Sequence, residues 1–376
     1  MAMAARDSLM AHFESVLTLD REQLAVERAI AEYRAGRPVV VDAEGGATFA
    51  IPAESLDVAG ARALDAAAAG AARLALSGAR LHRLGARRRE SGALALPTVD
   101  YDRVARLAMG RGARLDAEPL RPTAAETAAL ALTHLAQLLP CVVAAPIDAA
   151  GDAFVRVGAL SIAAYRGKEV AGLRLISRAP VPLEGAPQSE MVVFRGGEGL
   201  RDHAAVLIGP LNRAEPVAVR LHSACLTGDL FGSLKCDCGD QLRMTARHMA
   251  QNGGGVILYL DQEGRGNGLA CKIRAYGLQA DGVDTYDADE QLGFEHDQRG
   301  FDFAADMLRQ LGVRRVRLFT NNPVKIDALA AAGVEIVSQQ RVHGRATPQN
   351  VAYLEAKRDR AGHKFGADIG AEVGEN

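Results

Sequence analysis

The spacing of apolar residues predicts a helix and then a buried strand near the start of the chain. In residues 21–36 (REQLAVERAIAEYRAG) the apolar positions keep a helical period that ends at Gly36, and the run PVVVDA that follows predicts a strand. Further helices are predicted over residues 102–109 and 124–139. Because polar residues interrupt the apolar region 124–143, it indicates a buried helix followed by a strand and not a membrane span.

Strand and helix patterns alternate in the second half of the chain. Proline-containing residues 179–187 predict loop and edge-strand material. The fold class is therefore predicted as α/β (α+β), with a mixed β-sheet and flanking helices in the C-terminal domain. In chain order, the pattern predicts strands over 191–194, 204–208 and 218–222, a helix over 240–251, the strand VILYL, a helix over 301–311, a strand over 316–319, a helix over 323–332 that begins with proline, and the strand VEIV.

Length and composition indicate a soluble protein of two domains. At 376 residues the chain can build two cores, and we place the boundary near residue 170, which gives domains 1–170 and 171–362. Residues 363–376 are small and acidic and predict a disordered tail. The net charge of -2 argues against a nucleic-acid partner, and the N-terminal residues lack the apolar stretch of a signal peptide. We expect a cytoplasmic protein without a membrane or nucleic-acid partner.

Three cysteines stand close together in the string HSACLTGDLFGSLKCDCGDQL. Cys225, Cys236 and Cys238 have the spacing C-x10-C-x-C. A structural zinc site uses four protein ligands, whereas a hydrolytic site keeps one position open for water, so three ligands favour a catalytic metal. Spacing alone also allows a closed site in which His222 is the fourth ligand. Disulfides are disfavoured because only five cysteines occur in the whole chain.

The stretch from Arg220 to Lys325 resembles GTP cyclohydrolase II, the enzyme that opens guanine's imidazole ring in riboflavin synthesis. The strings that carry the resemblance are RLHSACLTGD, SLKCDCGDQL, DQEGRGNGL, KIRAYGLQ, QLGFEHDQR and LFTNNPVKI, in the family's order and spacing. The resemblance implies an enzyme that converts GTP and water into formate, pyrophosphate and 2,5-diamino-6-ribosylamino-4(3H)-pyrimidinone 5′-phosphate. It also implies one zinc ion on the three cysteines, which would activate water at neutral pH and be lost at low pH.

The resemblance implies catalytic roles for three further residues. Tyr276 matches a tyrosine near the reacting ring, where it can donate a hydrogen bond or a proton. Asp297 matches the family's proton acceptor, and Arg299 matches its nucleophile at the α-phosphate. Because a guanidinium group stays protonated, we favour electrostatic stabilisation of the phosphate as the role of Arg299.

Other positions match the family's contacts to GTP. Glu263 can accept two hydrogen bonds from guanine, the planar fork of Arg265 suits phosphate oxygens, and Thr320 precedes a helix start whose N–H groups can face phosphate. Mg²⁺ is expected with the triphosphate. The full set is Arg220, His222, Ser223, Gln241, Glu263, Gly264, Arg265, Thr320 and Lys325.

Three positions depart from the family pattern. Ala224 stands where many members have glutamate, Gly300 stands where an acidic residue is usual, and Asn267 stands where an apolar residue often precedes the last glycine of its loop. These departures keep two alternatives open. One is a cyclohydrolase paralogue with an altered product, and the other is a non-catalytic regulator that binds zinc and a nucleotide.

Residues 26–54 resemble the opening of 3,4-dihydroxy-2-butanone 4-phosphate synthase, an enzyme often fused upstream of GTP cyclohydrolase II. That enzyme binds Mg²⁺ through an acidic cluster after its first strand, where this chain keeps only Asp42 and Glu44. We therefore expect domain 1–170 to be a scaffold without synthase activity, with an unrelated α/β domain as the alternative. A homodimer is the expected assembly.

Overall fold

The protein consists of two compact units in a computed structural model that describes residues 20–87, 89–147, 153–197, 200–295, 299–345 and 347–361. The units are Met1–Lys168 and Glu169–Asn376. Each unit contains its own β-sheet with helices beside it, which confirms the predicted α/β class. Every helix within the described ranges is too short or too polar to cross a bilayer.

The first unit is built on a six-stranded sheet. In chain order its strands are β1 (Val39–Ala43), β2 (Gly46–Pro52), β3 (Ala72–Leu76), β4 (Gly92–Leu96), β5 (Cys141–Ile147) and β6 (Arg156–Gly158). Across the sheet the order is β4-β3-β5-β2-β1-β6, with β1 and β6 parallel and the other neighbours antiparallel. Its helices are α1 (Arg21–Arg34), α2 (Val58–Ala68), α3 (Gly78–Arg83), α4 (Tyr101–Met109), α5 (Ala124–Ala136) and α6 (Ala159–Ala171), the last of which continues into the second unit.

Helices α1 and α5 pack on each other and supply much of the core of the first unit. Thr123 and Glu126 form a capping box at the start of α5, which satisfies its first free N–H groups. The helix predicted over 124–139 ends earlier, at Ala136, because Gln137 adopts a left-handed conformation with φ 60°. The buried residues of the two helices include Val26, Ala29, Ile30, Tyr33, Ala129 and Leu132.

The second unit is built on a seven-stranded mixed sheet. Its strands are β7 (Arg174–Pro180), β8 (Ser189–Arg195), β9 (Asp202–Ile208), β10 (Val217–Ser223), β11 (Gly255–Leu260), β12 (Arg315–Phe319) and β13 (Glu335–Gln340). Their order is β13-β12-β10-β11-β9-β8-β7, in which the first four are parallel and the last three pair antiparallel. Its helices are α7 (Leu226–Asp229), α8 (Cys238–Gln251), α9 (Leu269–Ala280), α10 (Thr285–Gln291), α11 (Asp302–Gln310), α12 (Pro323–Ala331) and α13 (Val351–Ala361).

Apolar residues of the parallel strands form the core of this unit. Strand β10 is buried from Val217 to His222, as expected of a parallel strand covered on both faces. Residues of α11 pack against this sheet, and Asn322 caps α12, whose first residue is the proline predicted there. The shared core includes Val219, Leu221, Val256, Leu258, Leu318, Phe303, Met307 and Leu308.

The strands predicted in the second half are all present, most with slightly wider bounds, and the strand predicted as VEIV begins one residue later, at Glu335, and ends at Gln340. Strand β7, which covers the start of residues 179–187, lies at the edge of the sheet as predicted. The helix predicted over 240–251 begins earlier, at Cys238, so one cysteine of the candidate metal site lies on the helix itself. Helices α9, α10 and α13 were not predicted as elements, because no clear apolar period marks them.

Three neighbouring parallel strands end at the same edge of the second sheet. They are β12, β10 and β11, with β10 in the middle. The chain passes from β10 to β11 on one side and later returns to form β12 on the other side of β10, so the strand order reverses at this point. In open sheets, ligands bind outside the carboxyl ends of strands at such a point. The segments after Ser223, Leu260 and Phe319 are therefore the ones expected to build a site.

Candidate metal centre and adjoining cavity

The three cysteines predicted as ligands lie together after β10. The Sγ atoms of Cys225, Cys236 and Cys238 are all within 4.8 Å of one another, and those of Cys225 and Cys236 are 3.6 Å apart. Two sulfurs held at about 2.3 Å by one tetrahedral ion lie roughly 3.8 Å from each other, so the arrangement fits zinc. Among the described residues, no other histidine, cysteine and acidic side chains form such a cluster.

Two glycines allow the cysteine segments to approach each other. A Cβ on Gly228 would lie 2.8 Å from the Sγ of Cys236 and 3.1 Å from the Sγ of Cys225. A Cβ on Gly239 would lie 2.1 Å from the carbonyl oxygen of Gly228. Real Cβ atoms do not tolerate such contacts, so the thiolate cluster depends on the absence of a side chain at both positions.

The structure does not support His222 as a fourth ligand. Its Nε2 lies 3.1 Å from both carboxylate oxygens of Asp229, its ring stacks on Tyr259 with 5.5 Å between centroids, and it is not part of the cysteine cluster. Burial lowers the pKa of His222, with the Asp229 hydrogen bond opposing it. Within the described residues the candidate metal therefore has three protein ligands.

Asp229 holds the loop that carries the first ligand. Its Oδ2 accepts hydrogen bonds from the backbone N–H of Cys225 and from the hydroxyl of Tyr259, each at 2.9 Å. The backbone N–H of Asp229 donates in return to the carbonyl of Cys225 at 2.7 Å. With His222 on the same carboxylate, these bonds fix the turn from β10 into α7.

Lys272 reaches the metal ligands from α9. Its Nζ donates to the Sγ of Cys225 at 3.1 Å and to the Oε1 of Glu263 at 2.8 Å, and it also contacts the hydroxyl of Thr227 at 3.0 Å. The Lys272 and Glu263 side chains are only 11% and 10% exposed. Burial opposes the charge, but Cys225 and Glu263 outweigh burial and raise the pKa of Lys272. A fixed positive charge thus lies against a ligand sulfur.

The cysteines themselves differ in protonation. Hydrogen bonds from Cys236 and Cys238, with the nearby charge of Lys272, hold the pKa of Cys225 well below the usual range of thiols. The hydrogen bond with Cys225 raises the pKa of Cys236 to about 11. The cluster as a whole therefore favours the thiolate, which is the form that binds metals, at Cys225.

A cavity of about 420 Å³ opens beside the cysteines at the carboxyl ends of the three parallel strands. Every predicted site residue within the described ranges lines it, whereas Asp297 lies outside those ranges. The lining residues that were predicted are Arg220, His222, Ser223, Cys225, Cys236, Cys238, Gln241, Glu263, Gly264, Arg265, Tyr276, Arg299, Thr320 and Lys325.

Tyr276 follows Lys272 by one turn of α9. The ammonium groups of Lys235 and Lys272 lie 4.9 Å and 5.6 Å from the centroid of its ring. Burial raises the pKa of Tyr276 to about 12, although the charge of Lys272 opposes this shift. The hydroxyl therefore keeps its proton at neutral pH and is available as a hydrogen-bond donor.

Arg299 belongs to a polar chain that connects two sides of the cavity. Its Nη1 donates to the Oγ of Ser223 at 3.0 Å, and its guanidinium lies 5.3 Å from the ring centroid of Phe301. Ser223 donates to the Oε1 of Gln262 at 3.3 Å, and the Nε2 of Gln262 donates to the carbonyl of Gly300 at 2.7 Å. Arg299 is half-buried in this position.

Arg220 brings a second guanidinium into the cavity. Its Nη2 donates to the Oε1 of Gln241 at 2.6 Å, and Gln241 donates in turn to Asp237. The Nε of Arg220 is buried and has no hydrogen-bond partner within the described part of the chain. A buried donor of this kind is suited to an acceptor supplied by a ligand.

Thr320 and Lys325 lie at the end of β12 and the start of α12. The Thr320 hydroxyl accepts from the backbone N–H of Asn322 at 3.1 Å, and the Nζ of Lys325 donates to the carbonyl of Leu221 at 2.7 Å. Both side chains are nearly fully buried. They place a hydroxyl, an ammonium group and a helix start on the same wall of the cavity.

Two predicted ligand contacts are engaged by the protein itself. Glu263, expected to bind guanine, accepts hydrogen bonds from the backbone N–H of Leu226 at 2.6 Å and from Lys272. It therefore holds the segment after β10 that carries Cys225 and Leu226, which we call the metal loop. Arg265, expected to offer a free fork, pairs with Asp289 and lies 4.4 Å from the centroid of the Tyr286 ring. Its backbone is left-handed, with φ 62°.

Lys272, Asp229 and Gln262 were not among the predicted site residues. All three lie within the strings that carry the family resemblance, namely KIRAYGLQ, LTGD and DQEGRG. Lys272 lies two residues before Arg274 in a helical segment, and by itself such a lysine is typical of a solvated surface charge. Only the fold shows that Lys272 and Asp229 form hydrogen bonds with Cys225, and that Gln262 connects Ser223 to Gly300 beside the cavity.

Comparison with known proteins agrees with this geometry. The family model of GTP cyclohydrolase II matches residues 174–341. The chain is 44% identical over 354 residues to a protein named GTP cyclohydrolase-2 from Xylella fastidiosa (strain Temecula1 / ATCC 700964), covering 91% of this chain and 87% of that protein. It is 41% identical over 375 residues to GTP cyclohydrolase-2 from Azospirillum brasilense, covering 94% and 97% of the two chains.

Two further matches are more limited. The riboflavin biosynthesis protein RibBA from Cytophaga hutchinsonii is 47% identical over 174 residues, which is 46% of this chain and 43% of that protein. A solved two-domain 3,4-dihydroxy-2-butanone 4-phosphate synthase, RibBX from A. baumannii, aligns with 85% of this chain and 99% of that chain at 16% identity and a TM-score of 0.30. That score is too low to bear on fold or function.

The chain belongs to the GTP cyclohydrolase II family. It is therefore an enzyme of the hydrolase class.

Proposed function

We propose that this protein hydrolyses the imidazole ring of GTP in a zinc-dependent reaction, as the first step of riboflavin biosynthesis. The products are formate, pyrophosphate and 2,5-diamino-6-ribosylamino-4(3H)-pyrimidinone 5′-phosphate. The observation that carries the proposal is the convergence of Cys225, Cys236 and Cys238 beside a cavity that also holds Arg220, Arg299 and Lys325. A soft, thiolate metal site and cations for a triphosphate are what this reaction needs.

Zinc is the metal that suits the cysteines. Soft thiolates select zinc over hard cations such as Mg²⁺, and three protein ligands leave one tetrahedral position for a reactant. When bound, zinc supplies a Lewis acid that lowers the pKa of water to about 7. Lys272 offsets part of the negative charge that the thiolates bring to the buried site.

The protein's own groups handle the protons of ring opening. Tyr276 keeps its proton at neutral pH and lies in the same cavity as the thiolates, so it can donate to a ring nitrogen as the bond to carbon 8 breaks. Glu263 accepts from Leu226 and Lys272 and thereby positions the loop of the first ligand. Because the Glu263 carboxylate already accepts hydrogen bonds from the protein, we propose that it binds guanine through one further hydrogen bond and not two.

We propose that the cationic residues of the cavity bind the triphosphate. Arg299, Arg220 and Lys325 line it, and the unpartnered Nε of Arg220 offers a donor for a phosphate oxygen. We propose that Arg299 stabilises charge at the α-phosphate, with Asp297 as the accompanying proton acceptor. Mg²⁺ is proposed as the counter-ion of the triphosphate.

We propose that domain 1–170 is a non-catalytic scaffold and that domain 171–362 carries the chemistry in a homodimer. Asp42, one of the two acids left after the first strand, forms an ion pair with Arg156, whose Nε lies 3.2 Å from its Oδ2. A carboxylate held by arginine is poorly placed to bind Mg²⁺. The described residues of this unit also contain no metal-binding cluster.

Formate release tests the proposed reaction. Zinc-loaded protein incubated with GTP is expected to release formate in step with GTP consumption. Cys236→Ser, which removes one ligand, is expected to lose both zinc and formate release, as measured by metal analysis and an enzymatic formate assay. A fully zinc-loaded protein that releases no formate from GTP contradicts the proposal.

A further inference from the structure

Asn267 carries a buried amide that the protein does not use. The residue is 3% exposed, and its Oδ1 has no hydrogen-bond partner in the part of the chain that the structure describes. An unpaired buried acceptor is costly for a folded protein, and an apolar side chain of similar size would avoid that cost. Among the described residues the Oδ1 of Asn267 is thus left available to a donor that comes from a ligand.

At Asn267 itself, the turn is held by hydrogen bonds of the backbone. The backbone N–H of Asn267 donates to the carbonyl of Gly264 at 3.2 Å, and the backbone N–H of Gly268 donates to the carbonyl of Glu263 at 3.0 Å. Asparagine often serves turns and caps through its side chain. Here the start of α9 follows Gly268 without a side-chain cap. The Asn267 amide thus has no local structural task.

Asn267 belongs to the wall of the candidate substrate cavity. Asn267 lines that cavity together with Ser223, Cys225 and Glu263. Its neighbour Gly266 packs beside Arg299, since a Cβ on Gly266 would lie 3.6 Å from the Cγ of Arg299. The residue before Asn267 therefore lies beside Arg299, and Asn267 shares the cavity with Cys225.

We propose that Asn267 is a specificity-determining residue whose Oδ1 accepts a hydrogen bond from the nucleoside part of the substrate. The inference rests on the proposed function, in which that substrate is GTP. Phosphate oxygens are acceptors at neutral pH and cannot satisfy a carbonyl oxygen. The nucleoside donors are the N1–H of guanine, which is left here to Glu263, the exocyclic amine of guanine and the ribose hydroxyls. The exocyclic amine or one of the ribose hydroxyls is the partner of Asn267.

The test compares GTP with analogues that each lack one donor. Asn267→Leu removes the acceptor at similar volume, and we expect it to lower kcat/KM for GTP by roughly 5- to 20-fold, because the substrate donor then stays buried and unpaired. Inosine triphosphate, 2′-deoxyGTP and 3′-deoxyGTP are measured as competitive inhibitors of both proteins. For the analogue that lacks the donor bound by Asn267, the inhibition constants of the wild-type protein and of Asn267→Leu are expected to agree within 2-fold. For the other two analogues, Asn267→Leu is expected to bind more weakly than the wild-type protein, by the same factor as for GTP.

Equal losses for GTP and all three analogues, or no loss for any nucleotide, overturn the inference. A thermal melt of the zinc-loaded proteins adds a second criterion. Asn321 is the matched control, since its Nδ2 donates to the carbonyl of Val342 at 2.5 Å and its Oδ1 accepts from the Val342 N–H at 3.0 Å. Asn321→Leu is expected to lower Tm, whereas Asn267→Leu leaves Tm equal or higher.

A drop in Tm for Asn267→Leu as large as that for Asn321→Leu also overturns the inference, because it would give the amide a structural role. Failure of the proposed reaction has a different signature. In that case the wild-type protein releases no formate from GTP, while displacement of a fluorescent guanine nucleotide by the same analogues still measures the Asn267 contact.

Discussion

Lys272 and Cys225 are 47 residues apart in the chain, yet the Nζ of one lies 3.1 Å from the Sγ of the other. The same ammonium group binds Glu263, whose second oxygen holds the backbone of Leu226 beside the first metal ligand. A single lysine thus links a ligand sulfur, a buried carboxylate and the metal loop. At the scale of residues, the site depends on this support as much as on the cysteines.

Replacing Lys272 is expected to weaken both the fold and the metal site. Lys272→Met leaves Glu263 buried without its cation, so the free energy of unfolding should fall by about 3 kcal/mol, and zinc should pass to a chelator faster. Lys235→Met is the matched control, because Lys235 contacts the same Tyr276 ring and forms no ion pair among the described residues. Unchanged zinc retention in Lys272→Met would contradict this role.

Gly228 tests the packing of the sulfurs. Gly228→Ala would place a methyl group 2.8 Å from the Sγ of Cys236, so we expect the zinc content per chain to fall severalfold, as measured by metal analysis. Gly277→Ala is the control, since a Cβ there meets nothing within 4 Å on α9 and should stabilise the helix by about 1 kcal/mol. Full zinc content in Gly228→Ala would show that the loop can move apart.

At the scale of elements, the ends of parallel strands bring the chemistry together. Cys225 follows β10, Glu263 follows β11 and Thr320 follows β12, and these strands are neighbours in the sheet. The loop after β11 is also tied at its base, since the backbone N–H of Asp261 donates to the Nδ1 of His203 on β9 at 3.0 Å. That imidazole is buried against Phe303, with 4.4 Å between the ring centroids.

His203 makes the free energy of unfolding depend on pH. Burial, assisted by Arg201, lowers the pKa of His203 to about 4, whereas an unfolded histidine titrates near 6.5. Between these values the unfolded chain binds a proton that the folded chain does not, so the free energy of unfolding falls as the pH drops from about 6.5 towards 4, by up to roughly 3 kcal/mol. Protonation of the Nδ1 of His203 would also remove the lone pair that accepts the hydrogen bond from the backbone N–H of Asp261.

His203→Asn removes this titration while keeping an acceptor for Asp261. Its free energy of unfolding, measured in urea at several pH values, should change less between pH 6.5 and pH 4 than that of the wild-type protein. The other carboxylates and thiolates are common to both proteins and cancel in the comparison. Identical pH profiles would show that His203 does not carry this dependence.

The sequence predicted the elements better than their connections. The cysteine spacing and the family strings pointed to the metal cluster, and the apolar runs marked β10, β11 and β12, because both signals are local in the chain. The bond from Lys272 to Cys225 joins distant segments and leaves no local signal. The end of α5 was placed three residues too late, because a glutamine gives no local signal for the left-handed conformation that Gln137 adopts.

At the scale of the whole molecule, two units divide the chain and only the second holds a candidate metal site among the described residues. In the first unit Asp42 is paired with Arg156, so the acid that could serve Mg²⁺ already has a cation. The relatives named GTP cyclohydrolase-2 from Xylella fastidiosa and Azospirillum brasilense match over nine-tenths of this chain. Both relatives are named for one activity.

The first unit is expected to lack synthase activity. The full-length protein incubated with ribulose 5-phosphate and Mg²⁺ should form no 3,4-dihydroxy-2-butanone 4-phosphate, as followed by mass spectrometry. The same preparation should remain active on GTP, which shows that the protein is folded. Formation of the butanone phosphate above a protein-free control would overturn the scaffold assignment.

The central proposal is that Cys225, Cys236 and Cys238 would hold a zinc ion and supply a Lewis acid for opening the guanine ring, while the cationic residues of the cavity would bind the triphosphate as pyrophosphate leaves. Mass spectrometry of the product formed by the zinc-loaded protein from GTP tests it most directly. The account predicts a diaminopyrimidinone ribosyl 5′-monophosphate, with one formate and one pyrophosphate released per GTP. A product that retains the triphosphate, or bound GTP that is never converted by the zinc-loaded protein, would contradict it.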